Sequence, residues 1–251
     1  MWLRLRQIAL VARELAPVEK QIIDVLGVAV CFRDPGVAHF GLENALFPIG
    51  NQLLEVVAPV QEETAGGRYL DRRGGDGGYM VITQCNDHEP RRARVRDLGI
   101  RLVTDHDSDE YRNMQLHPKD TGGTFFEIDE QLGDGAHDED GPWHPAGPDW
   151  QRAKQTERVG GILAAEIQCD DPATVAARWA EIAEIDLEDG VMPLANAEVR
   201  FVPITDGRPE GLSAIDVAVN DREALMAAAQ SAGAVKSDRQ IELCGIRINL
   251  I

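Results

Sequence analysis

Two glutamates occupy places where the surrounding residues are apolar. In residues 42–59, LENALFPIGNQLLEVVAP, two hydrophobic runs flank Pro48-Ile49-Gly50-Asn51, a break that predicts a β-hairpin. Strand side chains alternate between faces, so Leu53, Glu55 and Val57 share one side. The same composition returns at Gly122-Gly123-Thr124-Phe125-Phe126-Glu127-Ile128-Asp129, with Glu127 in the strand. A carboxylate left ionised and unpaired on an apolar face is costly, because burial disfavours its charged form. A divalent cation would answer that cost. So would arginine partners, for which Arg68, Arg72 and Arg73 are candidates, or protonation of one acid, which then serves as a general acid or base. A structural hydrogen-bonded cluster is the fourth reading.

Other polar residues fall near these strands. His39 and Asn44 lie on the approach to the first hairpin and on its first strand, where they either line a pocket or bond to nearby backbone. His117 precedes a proline at the mouth of the second hairpin. An imidazole there either handles protons at neutral pH or is a solvated turn residue. Trp143, His144 and Trp150 either close over a pocket or pin a linker to the fold.

The elements that must position these groups repeat along the chain. Residues 3–12 read as a strand and 13–27 as an amphipathic helix; Val28 to Phe32 reads as a second strand, closed by the turn Asp34-Pro35-Gly36. With the hairpin, this makes a βαβββ unit ending near Val60. Residues 61–78 hold six glycines and three arginines and read as a flexible connection. A second pass runs from the strand 78–85 through a helix capped by Asp87 and candidate strands at 100–103 and 114–117 to the Glu127 strand. Residues 131–150, rich in Gly, Pro and Asp, form an acidic crossover. Third and fourth strand-then-helix starts follow at 161 and 212, and Thr83-Gln84-Cys85-Asn86-Asp87 and Ile167-Gln168-Cys169-Asp170-Asp171 are the same junction.

Length and composition set outer bounds. A chain of 251 residues buries a sizeable core, and its net charge of −18 argues against nucleic acid or an anionic membrane surface as partner. No run approaches a membrane span and the first residues have no signal-peptide core, so a cytoplasmic location is expected. Cys31, Cys85, Cys169 and Cys244 are far apart and give no zinc-site spacing.

On these junctions, the Leu116-His117-Pro118-Lys119-Asp120-Thr121-Gly122-Gly123 stretch and the 39–60 segment, the chain resembles the vicinal oxygen chelate superfamily, glyoxalase I and methylmalonyl-CoA epimerases among them. The resemblance implies an α+β fold in which repeated βαβββ modules pair into half-barrel cups. The active cup would fall in residues 1–130 and a degenerate glyoxalase-like half in 151–251. Ligands for a divalent metal, whether Zn, Ni, Mn or Mg, would fall on Gln7, Glu55 and Glu127. The fourth such position is Met80, whose thioether is a poor ligand for hard cations and suits an apolar ligand. In the second half the equivalent positions are Ala164, Ala214, Arg200 and Arg247, with the arginines expected to pair with Glu166 or Asp216.

The resulting expectation is a lyase or isomerase acting on a small oxygenated molecule, with Glu127 and His117 in catalysis and His39, Asn44, Met80 and Arg72 around the substrate. The alternative is a metal-free small-molecule binding protein of the same superfamily. Modules pair either within one chain or between two copies of a homodimer.

Overall fold

The computed structural model describes residues 1–251. The first half contains β1 (Leu3–Val11), α1 (Leu15–Leu26), β2 (Leu42–Ile49), β3 (Gln52–Pro59), α2 (Ala65–Arg73), β4 (Gly77–Cys85), α3 (His88–Asp97), β5 (Leu102–Asp107), β6 (Tyr111–Leu116) and β7 (Phe125–Gln131). These strands form one sheet in the order β2-β3-β1-β4-β7-β6-β5. The second half contains β8 (Val159–Cys169), α4 (Pro172–Ala183), β9 (Met192–Pro193), β10 (Glu198–Pro203), β11 (Gly211–Val219), α5 (Arg222–Ser231), β12 (Val235–Ser237), β13 (Gln240–Leu243) and β14 (Ile246–Leu250). Its sheet runs β12-β13-β14-β11-β8-β10-β9. No helix is long and apolar enough to cross a membrane.

Each sheet is two modules joined through their first strands. β1 runs antiparallel to β4 with Gln7 opposite Ile82 and Ala9 opposite Met80, a register that makes Gln7 and Met80 equivalent about a local two-fold. Each first strand lies parallel to the last strand of its own module, β1 to β3 and β4 to β7. β8 and β11 repeat the scheme with β10 and β14. The modules therefore pair within one chain, in the α+β architecture of glyoxalase-like half-barrels.

Three local expectations are corrected. Val28 to Phe32 forms no strand; only Cys31 and Phe32 bond to Leu46, at 2.8 and 3.0 Å, before Asp34-Pro35-Gly36 turns the chain into a short 3-10 helix. Residues 61–78 are not a flexible connection but contain α2, whose Thr64 hydroxyl accepts the Gly67 N–H at 2.9 Å. The glycines that suggest a loop have a packing role, since a Cβ on Gly66 would stand 3.1 Å from Leu42. They let α2 lie directly on the sheet, burying Tyr69 and Leu70. Asp87 precedes α3, but its side chain makes no cap bond and pairs with Arg91 instead.

The two faces of the first sheet have different fates. Leu3, Leu5, Ile8 and Leu10 point into a core shared with α1 and the second half, while Ala9 and Val11 point into a separate apolar cluster on the cup face. The shared core explains the amphipathic period of α1, which buries Leu15, Val18, Ile22, Val25 and Leu26. Trp179 of α4 completes it, stacking on Phe126 at 4.1 Å and donating its indole N–H to the Thr121 carbonyl at 3.0 Å. Side-chain amides also extend each sheet from the other half. Asn196 bonds both backbone groups of Leu5 (2.8 and 3.0 Å), just before the register that pairs β1 with β3 begins. Gln52 does the same for Ile162 (2.7 and 2.9 Å), just before β8 meets β10.

This contact requires bare backbone. A Cβ on Gly78 would stand 2.4 Å from the Leu212 carbonyl oxygen of β11, and one on Gly123 would stand 2.3 Å from that of Glu210. Gly78→Ala is therefore expected to destabilise the chain by about 1–3 kcal/mol through forced separation of β4 from β11, read as a lower urea midpoint with the far-ultraviolet circular dichroism unchanged below the transition.

Candidate functional site

Alternation along five strands brings the polar residues of the cup together. Glu55 on β3 accepts the Gln7 amide N–H of β1 at 2.8 Å and the Asn44 amide N–H of β2 at 2.6 Å. Asn44 is itself held, its oxygen accepting the Asp34 backbone N–H at 2.8 Å. In the second module Glu127 on β7 accepts the Gln115 amide N–H of β6 at 2.7 Å, and the Met80 sulfur lies 3.9 Å from the same nitrogen. Two residues along, Asp129 accepts from the Tyr111 hydroxyl and, at 3.0 Å, from the Asn113 amide. Glu55 and Glu127 each keep 6% of their surface exposed, and Met80 keeps 9%.

No cation stands beside these three carboxyls. Burial is the largest influence on each and raises its pKa; for Glu55 it outweighs the two amide donors and pushes the value to about 7. Glu127 is raised by burial, and Asp129 is raised well above the usual carboxylate range by burial and by Glu127. Two acids on one face of one strand cannot both ionise cheaply, so the pair holds its protons to higher pH than a solvated carboxylate would. Arg68, Arg72 and Arg73 do not compensate them. Arg68 bonds the Glu63 carbonyl, Arg72 lies over the Tyr69 ring at 4.9 Å, and buried Arg73 donates to the carbonyls of Pro209, Glu210 and Leu212.

The acidic crossover closes one end of the cup. Trp143, Ala146 and Trp150 are buried in the apolar cluster on this face, opposite Tyr69 and Leu70 of α2. Arg6, almost wholly buried, donates to the carbonyls of Glu139 (2.7 Å) and Gly141 (2.8 Å), with its guanidinium against the rings of Trp143 (5.5 Å) and Trp150 (5.2 Å). Burial and the neighbouring Arg4 lower its pKa to about 9. Arg4 holds the same segment through the carbonyls of His137 and Asp138. Trp143 packs edge-on against Tyr111 at 5.5 Å, and His144 stacks on the same ring at 5.2 Å.

Trp143 also decides what Gln7 can do. Its indole N–H is a donor only and lies 2.9 Å from Gln7 Oε1, so the Gln7 NH2 must face Glu55. Gln7 Oε1 thus faces the indole, and the group facing Glu55 is a donor. None of the buried side-chain atoms lacking a partner belongs to this cluster, and no group of three or more His, Cys, Asp or Glu side chains is arranged to hold a metal ion. In this arrangement Gln7 presents a donor to Glu55, and amide donors hold both glutamates.

The structure gathers Gln7, Asn44, Glu55, Met80 and Glu127, and leaves three other candidates outside the cup. His39 is exposed and stands edge-on to Phe40. His117 and Arg72 line a cleft at the rim. Tyr111, Asn113, Gln115 and Asp129 were missed by sequence reading. The period of two signals them, since Tyr111, Asn113 and Gln115 share a face of β6, and Asp129 shares one with Glu127. In the second half Arg200 pairs with Asp216 (2.7 Å) and Arg247 with Glu166 (2.8 Å), so the cations expected there are neutralised by the expected partners.

A pair of βαβββ modules with facing polar residues in the cup is the architecture of the vicinal oxygen chelate superfamily. The sequence profile of the glyoxalase-like domain matches residues 8–183, and the chain belongs to that family. Over its full length the fold is that of a hypothetical protein from Staphylococcus aureus, at 13% identity and a TM-score of 0.65 with 99% of each chain covered. Methylmalonyl-CoA epimerase from Mycobacterium tuberculosis aligns at 25% identity over 52% of this chain and 89% of its own, with a TM-score of 0.46. A Streptomyces coelicolor methylmalonyl-CoA epimerase in complex with 2-nitronate-propionyl-CoA aligns at 23% over 53% of this chain and 100% of its own, also at 0.46. No curated protein matches the chain.

The raised acids make stability depend on pH. Below about pH 4.5 Glu55 is protonated in both folded and unfolded chains. Between there and about pH 7 the unfolded chain releases a proton that the folded chain keeps, so stability falls as pH rises through that window and levels off above it. Glu127 and Asp129 act in the same direction. Glu55→Gln should flatten the fall by on the order of 2–3 kcal/mol between pH 5 and pH 8, measured as urea unfolding free energy against pH. An unchanged slope would remove Glu55 as its source.

Proposed function

We propose that the chain is an enzyme of lyase or isomerase type that moves a proton at a carbon next to a carbonyl group of a small oxygenated molecule, with Glu55 as the acid–base group. The observation that carries this reading is the Glu55 carboxyl itself, held in place by two amide donors, without a cation, and with a pKa of about 7. A base of that strength is half-ionised at neutral pH and sits among apolar residues where proton transfer meets little solvent reorganisation. Glu127 is the second acid of the cup, and Asp129 with Tyr111 beside it forms a hydrogen-bonded proton store. The chemistry asks nothing of a metal. His117 lies at the rim and is assigned no proton transfer.

One observation favours the second reading, a metal-free small-molecule binding protein of the same superfamily. Tyr69, Trp143, Ala146 and Trp150 pack over the cup face and leave little of the carboxyls exposed. One assay separates the two. A panel of small hydroxy-carbonyl, keto-acid and acyl compounds is incubated with the protein in deuterium oxide and followed by proton NMR. The enzyme reading expects deuterium to enter beside a carbonyl, with an apparent pKa about 7, and a rate reduced by about 10²-fold or more in Glu55→Gln. A compound that raises the melting temperature without exchanging, or exchange that Glu55→Gln leaves intact, would overturn it.

A further inference from the structure

Beside the cup, residues of the two halves line an open cleft of about 860 Å³ in which Ile204 is the one hydrophobic lining residue. On the first-half side stand Arg72, His117 and Lys119; on the second-half side stand Arg208, Glu210 and Asp170. The floor is where the halves touch, since Gly123 meets the Glu210 backbone and its own carbonyl accepts the Tyr69 hydroxyl at 2.9 Å. Residues 204–210 lie beyond the part of the chain that matches the family, so this cleft belongs to the joining of the halves.

Its cations are short of counter-charges. Arg72 rests on the Tyr69 ring and Lys119 is exposed, and neither makes an ion pair. Arg208 is fixed by three backbone carbonyls, those of Arg73, Asp76 and Gly245, none of which carries charge. Arg101, also in the cleft, is paired with Asp120. Of the two acids in the wall, Glu210 already accepts the Asp170 backbone N–H at 2.9 Å. In a chain with 43 acidic and 25 basic residues, three unpaired cations around one cleft run against the composition.

His117 supplies a neutral donor among them. Its Nδ1 accepts the Lys119 backbone N–H at 3.1 Å, so in the uncharged ring Nε2 carries the hydrogen. Burial, followed by Arg101, lowers its pKa; Lys119 and Arg72 add to the effect and Asp120 opposes it. The ring is therefore neutral at pH 7. His117 also continues the Tyr111, Asn113, Gln115 face of β6, and Gln115 bonds Glu127, which puts the cleft next to the acids of the cup.

We propose that this cleft binds the anionic group, phosphate or carboxylate, of a small molecule. If the proton-transfer reading holds, that group is the charged end of the substrate whose reacting end meets the carboxyls. Arg72 and Lys119 provide charge on one side, Arg208 a fixed cation on the other and His117 a donor. An anion there would also raise the His117 pKa, which gives a direct readout.

The test follows the His117 ring by NMR while inorganic pyrophosphate or malonate is added at ionic strength held constant with sodium chloride. A saturable shift and an upward move of the His117 titration are expected. Arg72→Glu and Lys119→Glu should each weaken the apparent Kd by about tenfold or more, while the surface change Arg178→Glu should not. Tighter binding of pyrophosphate assigns a phosphate ligand, and tighter binding of malonate a carboxylate. A response no greater than with chloride alone, or one that survives both cleft substitutions in folded protein, overturns the proposal. Glu55→Gln should bind the probe as the unaltered chain does, so failure of the proton-transfer reading leaves this result intact.

Discussion

Three carboxyl groups lie on the cup face of the first sheet without a cation among them, and their surroundings answer the cost of that placement. Amide side chains from neighbouring strands reach Glu55 and Glu127, and a phenol and an amide reach Asp129. Hydrogen bonds reduce the penalty of burial without cancelling it, so the acids hold their protons to higher pH than they would in water. A group retained near pH 7 in this way is costly to stability in its ionised form and suited to proton transfer. Such a balance is common where a fold gives up stability for chemistry.

The two halves resolve the same architectural problem differently. The first half keeps acids in its cup and covers them with Tyr69 and with the Trp143 and Trp150 side chains of the crossover. In the second, Arg200 and Arg247 stand at the corresponding strand positions and neutralise Asp216 and Glu166. Paired charges partly open to water neutralise one another and offer little reactivity. Each half nevertheless depends on the other, because Asn196 and Gln52 extend strands across the junction and the shared core fills the space between the sheets.

Much of the fold was legible because it rests on local period. The strands at 3–11, 42–49, 52–59, 77–85 and 125–131 alternate or run apolar, α1 follows a helical stripe, and the duplicated junctions at 83–87 and 167–171 mark equivalent starts. What misled was composition without context. The glycines of α2 look like a linker until their contact with Leu42 is known, and the β-branched run before Asp34 looks like a strand although the turn leaves room for only two of its residues to pair. Asp129 was within reach of the same alternation that identified Glu127.

The sequence by itself determined the repeated βαβββ units, the family they belong to and the placing of Glu55 and Glu127 on buried strands, because these follow from periods of two and 3.6 residues along short stretches. Tertiary structure alone decided how those acids are treated. Trp143 comes back over more than a hundred residues to take the Gln7 oxygen and turn its amide toward Glu55, and Arg6 holds that segment through backbone carbonyls, which carry no side-chain signature. Whether an inward carboxyl meets a cation, a metal or an amide depends on which distant segment packs against it, and no local pattern encodes that choice.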